Sequence, residues 1–440
     1  MSIRILCLSA FCWCMGAQAH AQQISFSSLN DVWQYAEKNN ISIISAQSSQ
    51  AIADKTMKQS YGNLFPTITA NGSFTDNIRI QPTLIPANLF NQEAPAGTFI
   101  EATFGRRYIY NTNFTAQFNI LNTEDWFAIA SAKYSHEVAR LAVNKTIREV
   151  YEQTAGAYYN YLLLEEVTRL SEQNILIADT ILTNASQKFT EGQVSEVSVN
   201  SAQINHEKAQ KTWQIAVQNR QIALNTLKSL LGLSVNDSLS LSEVLSSSLP
   251  EPLTIQSSYH PEVELARSQV LLAKTTWQAA KASFAPKLSV VYQWNNQISG
   301  DNFWQFTNTN SLPQEYWGLR LSIPILAGAS RIYQIQKSRI DWQYKEKYYE
   351  DSQKQADIQD DNLRLSFANA YDALKKSETI LELYHQNDQH ANRQLAEGTI
   401  SLDDRLRTFS DYLSGQNEYL ESLSNYLVQY YRVQIRNKAL

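Results

Sequence analysis

Four segments of the chain alternate between apolar and polar residues, a pattern that predicts β-strands. From Tyr108 to Leu121, aromatic and apolar side chains share one face, and asparagine, threonine and glutamine share the other. The same alternation predicts strands at about 66–78, 286–298 and 315–326. Their lengths match those of tilted transmembrane strands, and their aromatic residues cluster near the strand ends, as at a membrane interface. We therefore favour a membrane sheet over a half-buried sheet of a soluble domain.

The polar face of these strands predicts contact with water. The residues expected to line a lumen are Thr69, Asn71, Asn113, Thr115, Gln117, Ser289, Gln293 and Arg320. Four strands cannot close into a barrel, and an open edge in lipid leaves backbone groups without partners. Two copies of the chain would supply eight strands around a packed interior, and three would supply twelve around an open lumen. The polar face favours three.

Two very long stretches predict helices beyond the size of an ordinary domain. They run from Thr123 to about 188 and from about 328 to 395, roughly 100 Å each at about 1.5 Å per residue. A glycine turn and a second helix follow each, which predicts two antiparallel coiled-coil hairpins at about 123–231 and 328–437. The last helix carries an apolar seam. Beside it runs a second stripe of residues that recur every seven positions and include Tyr426 and Val433. Two stripes indicate that this helix packs against a neighbouring helix on each side, as in a ring of helices. The alternative is that both stripes belong to the core of an ordinary helix bundle.

These elements occur in the same order twice, which predicts two structural repeats. Each repeat is helix, strand, strand, long helix, helix, and the turn glycines Gly192 and Gly398 mark equivalent points. The expected boundaries are 22–231 for repeat one, 232–258 for a linker and 259–440 for repeat two. The linker, rich in serine with two prolines, is predicted to be a loop or a short helix. The segment 78–107 is predicted to be a loop facing the cell exterior.

The first 21 residues are predicted to be a cleaved signal peptide, with Arg4 before a short apolar stretch and a small-x-small site ending at Ala21. The three cysteines, Cys7, Cys12 and Cys14, all lie inside it, and bulky residues precede the last two. We therefore expect no disulfide and no lipid anchor. No stretch after the signal peptide has the apolar length of a transmembrane helix.

Charge and motifs argue against several classes of function. The formal net charge is −5 and there is no basic stripe, so nucleic acid is not an expected partner. The histidines show no helical metal-ligand spacing, and there is no glycine-rich phosphate loop. We predict a protein that is not an enzyme and that has no cofactor.

The sequence resembles the TolC family of outer-membrane efflux proteins, also called outer membrane factors. The residues that carry the resemblance are the repeat itself, Leu64-Phe65-Pro66 and Phe284-Ala285-Pro286 before strands, Ile323-Pro324-Ile325-Leu326 before a long helix, and Lys188-Phe189-Thr190-Glu191-Gly192 at a hairpin tip. It implies a mainly α fold with a small β part. It also implies a homotrimer with one twelve-stranded barrel in the outer membrane of a Gram-negative bacterium, in contact with outer-membrane lipid and continuous with a helical periplasmic tunnel. The implied function is a passive exit duct, gated at its periplasmic tip and driven by an inner-membrane pump through a periplasmic adaptor.

The resemblance also implies two sets of site residues. In the family, acidic residues after the second hairpin turn line the gate, and Asp404 matches the first of these positions whereas Arg407 occupies the second. The candidate gate is therefore Asp403, Asp404, Arg405 and Arg407. The alternative for Asp404 is a capping box with Ser401. The hairpin-tip residues expected to dock the adaptor are Phe189, Gly192, Val194, Leu395, Gly398 and Ile400.

Two other classes of protein remain as alternatives. A periplasmic coiled-coil adaptor or scaffold would carry one hairpin and flanking β-domains, whereas this chain carries two hairpins and paired amphipathic strands. A self-contained porin would hold a complete set of strands. The sequence leaves the cargo open among drugs, metal ions and proteins.

Overall fold

The protein is mainly helical, with a small antiparallel sheet, in a computed structural model. The structure describes residues 23–90, 92–93, 95–245, 253–255, 259–304, 310–325 and 328–438. The chain divides into two compact units, each built from parts of both predicted repeats. The helical unit comprises Met1–Ala46, Val143–Tyr259 and Ala356–Leu440, and the sheet unit comprises Gln47–Ala142 and His260–Gln355.

Seven α-helices and eight strands are present in the described ranges. The helices are α1 (Leu29–Asn39), α2 (Ile41–Gly62), α3 (Thr123–Thr190), α4 (Glu196–Leu230), α5 (Pro261–Ala282), α6 (Gly328–Ala396) and α7 (Leu402–Asn437). The strands are β1 (Gln23–Phe26), β2 (Thr67–Asp76), β3 (Thr83–Pro86), β4 (Phe99–Ala102), β5 (Tyr108–Leu121), β6 (Ser238–Leu241), β7 (Lys287–Gly300) and β8 (Asn310–Ser322). Among these helices, none has the length and apolar character to cross a membrane.

The sheet unit is organised around four antiparallel strands in the order β2-β5-β7-β8. These are the four segments whose alternation predicts strands, and β2 and β8 form the edges. β8 differs from the predicted range because it begins at Asn310, where its ladder reaches Ser299 of β7. It ends at Ser322 because Pro324 has no backbone N–H and restricts the residue before it. Within one chain, Pro313 lies in an edge strand, which pairs with β7 only and is the kind of strand that tolerates a missing backbone N–H.

Short strands occur in two segments for which the sequence predicts no strand. In the linker, β6 pairs in parallel with β1, placing Leu239 beside Ile24. The prediction of a loop or short helix there is wrong because two leucines alternate with serines and pack into the helical core. Within 78–107, β3 and β4 form an antiparallel pair with Leu84 opposite Glu101. Both pairs have four residues per strand, too short for periodicity to reveal.

The helical unit has an aromatic core. The Trp33 ring stacks on Tyr151 at 4.7 Å between centroids, and its indole N–H donates to the Tyr151 carbonyl oxygen at 3.1 Å. Tyr159 stacks on Tyr431, and burial raises the pKa of the Tyr159 phenol, which therefore stays neutral. Tyr426 belongs to the same core, fully buried within one chain. The second stripe of α7 is thus explained in part by ordinary core packing.

Candidate functional site: two faces of a sheet and two hairpin tips

Strand register places the eight residues predicted to line a lumen on a single face of the sheet. Residues paired directly across an antiparallel ladder point to the same side. One row joins Thr69, Thr115 and Gln293, ending at Tyr316 of β8. Neighbouring rows pair Asn71 with Asn113, Gln117 with Thr67, and Ser289 with Arg320. We call this surface the polar face.

Short hydrogen bonds between neutral groups link the polar face. The Thr115 hydroxyl donates to Asn113 Oδ1 at 2.9 Å, and the Tyr316 hydroxyl donates to Gln293 Oε1 at 2.6 Å. Amide and hydroxyl groups of this kind also bind water, because they keep free donors and acceptors. The polar face can therefore border an aqueous space without binding one particular ligand.

The opposite face of the sheet, the apolar face, exposes large hydrophobic side chains. Trp317 is 74% exposed, Leu319 64% and Leu321 60%. Phe114 and Trp294 contact each other on this face with ring centroids 5.5 Å apart. A continuous exposed apolar surface marks contact with a membrane or a protein partner.

An aromatic cluster at the end of the sheet remote from α3 extends this surface. Phe74 and Tyr108 come from the strands, and Phe303 of the β7–β8 loop contacts both. Trp304 follows with φ of 62°, and its backbone N–H donates to the Tyr110 hydroxyl at 2.9 Å. Sequence reasoning missed Phe303 and Trp304 because they lie outside any alternating segment. The sequence signal that could have identified them is the occurrence of two adjacent aromatic residues just after a predicted strand.

The two hairpin tips are built in the same way. At each tip the long helix ends in a glycine with left-handed backbone, Gly192 at φ 72° and Gly398 at φ 71°. The N–H of each glycine donates to the carbonyl three residues back, and the next N–H donates five residues back, from Gln193 to Lys188 and from Thr399 to Gln394. This is a Schellman motif, which satisfies the last carbonyls of the helix. A serine three residues after each glycine, Ser195 or Ser401, then caps the returning helix.

The tip residues expected to dock a partner are accessible. Phe189 is 46% exposed, while Val194, Leu395 and Ile400 are half-buried. A Cβ placed on either tip glycine would meet nothing within 4 Å. The tips therefore present apolar groups on an open, rigidly capped turn.

The four candidate gate residues have different surroundings. Asp404 forms the capping box with Ser401: its backbone N–H donates to the Ser401 hydroxyl at 3.0 Å, and that hydroxyl donates to its carboxylate at 2.7 Å. Arg407 is exposed and lies 3.1 Å from the Asp404 carboxylate. Asp403 is exposed at the first turn of α7.

Arg405 departs from the expectation of an exposed gate residue. Its side chain is 3% exposed, and its guanidinium lies 2.7 Å from the Asp388 carboxylate of α6. Its charge is therefore neutralised between the two helices of the second hairpin. The Arg405 guanidinium therefore contacts α6 and is not accessible at the tip.

Comparisons with known proteins give a family match over part of the chain and a shared fold over nearly all of it. Residues 32–233 match the family described as outer membrane efflux protein. No curated protein matches the sequence. The resemblance to outer-membrane efflux proteins is thereby confirmed.

Several solved structures share the architecture over nearly the whole chain. The outer membrane protein VceC of Vibrio cholerae has a TM-score of 0.73 at 15% identity, covering 93% of this chain and 96% of that one. The CmeC outer membrane channel of Campylobacter jejuni has a TM-score of 0.68 at 16% identity, covering 93% and 86%. The open state of the MtrE outer membrane channel of Neisseria gonorrhoeae has a TM-score of 0.69 at 15% identity, covering 93% and 89%. At these identities the likeness establishes the fold.

Proposed function

We propose that this protein is the outer-membrane exit duct of a tripartite efflux or secretion system. Its residues 32–233 match the outer membrane efflux protein family, and its fold is that of TolC-like channels. The duct is a homotrimer in the outer membrane of a Gram-negative bacterium, with a large periplasmic portion. It is passive, and an inner-membrane pump drives transport through a periplasmic adaptor. No catalytic step belongs to this function.

The four-stranded sheet carries the proposal. Its two faces suit two different surroundings, water on the polar side and lipid hydrocarbon on the apolar side. Its edge strands, β2 and β8, each pair with one neighbour within the chain. Unpaired strand edges in lipid cost several kcal/mol per group. Pairing β8 of one copy with β2 of the next removes these edges, and three copies give twelve strands around a polar interior.

The apolar face supports outer-membrane lipid as a partner. Exposed aromatic residues occur towards both ends of the strands, with Tyr292 and Trp317 nearer α3 and the Phe74 cluster at the other end. Aromatic residues are enriched at both interfaces of membrane barrels. The span between them is the part of the sheet that would contact acyl chains.

The hairpin tips support docking of the adaptor. Two tips per copy share one geometry, so three copies offer six similar apolar turns. The gate belongs at the same end, where Asp403 and Asp404 begin α7. The adaptor or scaffold alternative has no observation in its favour, because this chain combines two hairpins with an amphipathic sheet.

Disulfide trapping at the sheet edges tests the proposal. The predicted mature chain has no cysteine, so introduced pairs report without interference. Thr69→Cys in β2 is combined in turn with cysteine at Leu312, Gln314, Tyr316 or Gly318 of β8, which share its face. Oxidation in native membranes should give dimers and trimers on non-reducing gels for at least one pair.

The matched control pairs Thr115→Cys with Gln293→Cys, which are directly opposite in the central strands. This pair should cross-link within one chain and remain monomeric on the gel. Monomers alone for every β2–β8 pair, alongside a working control, would contradict assembly through the sheet edges.

A further inference from the structure

The polar face of the sheet carries positive charge and no negative charge in the described strands. The register places Lys287 and Arg320 on this face. The two acidic residues of the same four strands, Asp76 and Glu315, fall on the apolar face, opposite Tyr108 and Trp294. The polar face is otherwise composed of neutral residues, so these two cations decide its electrostatic character.

One of the two cations is neutralised. Lys287 Nζ lies 2.6 Å from the Glu124 carboxylate at the start of α3. Arg320 is exposed and has no hydrogen-bond or ion-pair partner among the residues that the structure describes. The net charge of the polar face is therefore one positive charge per chain, located at Arg320.

The surroundings of Arg320 leave its guanidinium accessible. Its neighbour across the ladder is Ser289, a small neutral residue. Its neighbour two positions back on the same face is Gly318, where an added Cβ would meet nothing within 4 Å. Space therefore lies beside Arg320 on the side that faces the proposed lumen.

We propose that Arg320 is a specificity-determining residue of the duct, favouring anionic solutes that carry a carboxylate, sulfate or phosphate group. This inference rests on the proposed function, since three copies would place three guanidinium groups at one level of the lumen. Rings of arginine or lysine favour anions in pores, and low-dielectric walls strengthen their field. The planar guanidinium also donates paired hydrogen bonds to such oxyanions.

Ion selectivity in planar bilayers tests this inference. The purified full-length protein is reconstituted, and the reversal potential is measured in a KCl gradient for the wild type and for R320K, R320Q and R320E. We expect the chloride-to-potassium permeability ratio to fall at least about twofold in R320Q, and further in R320E. R320K keeps the charge and should retain the wild-type ratio.

Two results would overturn the assignment. One is an unchanged ratio in both R320Q and R320E, and the other is an R320K ratio as low as that of R320Q, since charge would then not be the cause. Because all variants share the same other charges, the comparison isolates position 320. The absence of any conductance from the wild type would instead contradict the duct itself, and the inference would fail with it.

Discussion

The two adjacent aspartates at the start of α7 differ in the hydrogen bonds and ion pairs that their side chains form. Asp404 is committed to the capping box with Ser401 and to Arg407. The Asp403 side chain makes no hydrogen bond or ion pair within the described part of the chain and is exposed. A carboxylate with no partner among the described residues is available to a cationic group of a neighbouring copy. If the tip is a gate, Asp403 is the better candidate for closing it.

Separate substitutions of Asp403 and Ser401 distinguish gating from capping. We expect D403N to raise single-channel conductance at least about twofold, because it removes a charge pairing between copies while the cap stays intact. S401A is the control, since it loses about 1 kcal/mol of cap stabilisation and keeps both acids. Its conductance should remain at the wild-type value. Equal increases in D403N and S401A, or none in D403N, would contradict the acidic gate.

Several residue-scale features were predictable because local chemistry determines them. Gly192 and Gly398 adopt the left-handed conformation that favours glycine, and each ends a helix as its sequence position indicates. The capping box of Ser401 and Asp404 follows from spacing alone. The burial of Arg405 was not predictable, because it depends on Asp388, seventeen residues away on another helix.

At the scale of elements, a buried ion pair fastens the second hairpin near its tip. Arg405 of α7 contacts Asp388 of α6, and its guanidinium carbon lies 5.5 Å from the Phe409 ring centroid. Removal of one partner leaves an uncompensated charge between the helices. The pair therefore links α6 to α7 near the tip of the hairpin.

Two arginines two positions apart test this role. R405A should destabilise the hairpin by about 3 kcal/mol, because Asp388 is left buried without its partner. R407A, whose pair with Asp404 is exposed, should cost less than about 0.5 kcal/mol. Hydrogen exchange of α6 and α7 amides in the detergent-solubilised protein measures both. Equal protection in the two variants would show that the buried pair does not stabilise the hairpin.

Element type was predictable wherever periodicity extends over enough residues. The sheet strands alternate over ten or more positions, and the hairpin helices run without proline. The strand pairs β1–β6 and β3–β4 were not predicted because four residues cannot establish a period. In addition, β1–β6 joins segments more than 200 residues apart. The position of Phe303 and Trp304 against the strands likewise depends on the fold of a loop.

At the scale of the whole molecule, the sheet of one chain has two edge strands that each pair on one side only. The outer sides of these edge strands have no strand partner within the sheet. One face of the sheet also exposes tryptophan and leucine side chains. Lipid can cover the apolar face, but only strands can satisfy the edges. Period-two alternation in the sequence predicted the four long strands of this sheet, and their completion by identical copies stays a prediction.

The mass of the detergent-extracted particle tests the central claim, that identical copies complete the sheet. The protein is expressed with its predicted signal peptide, extracted from the outer membrane and examined by native mass spectrometry. We predict a particle of three copies that requires detergent to remain in solution. A folded single copy that stays dispersed in water without detergent would contradict the account.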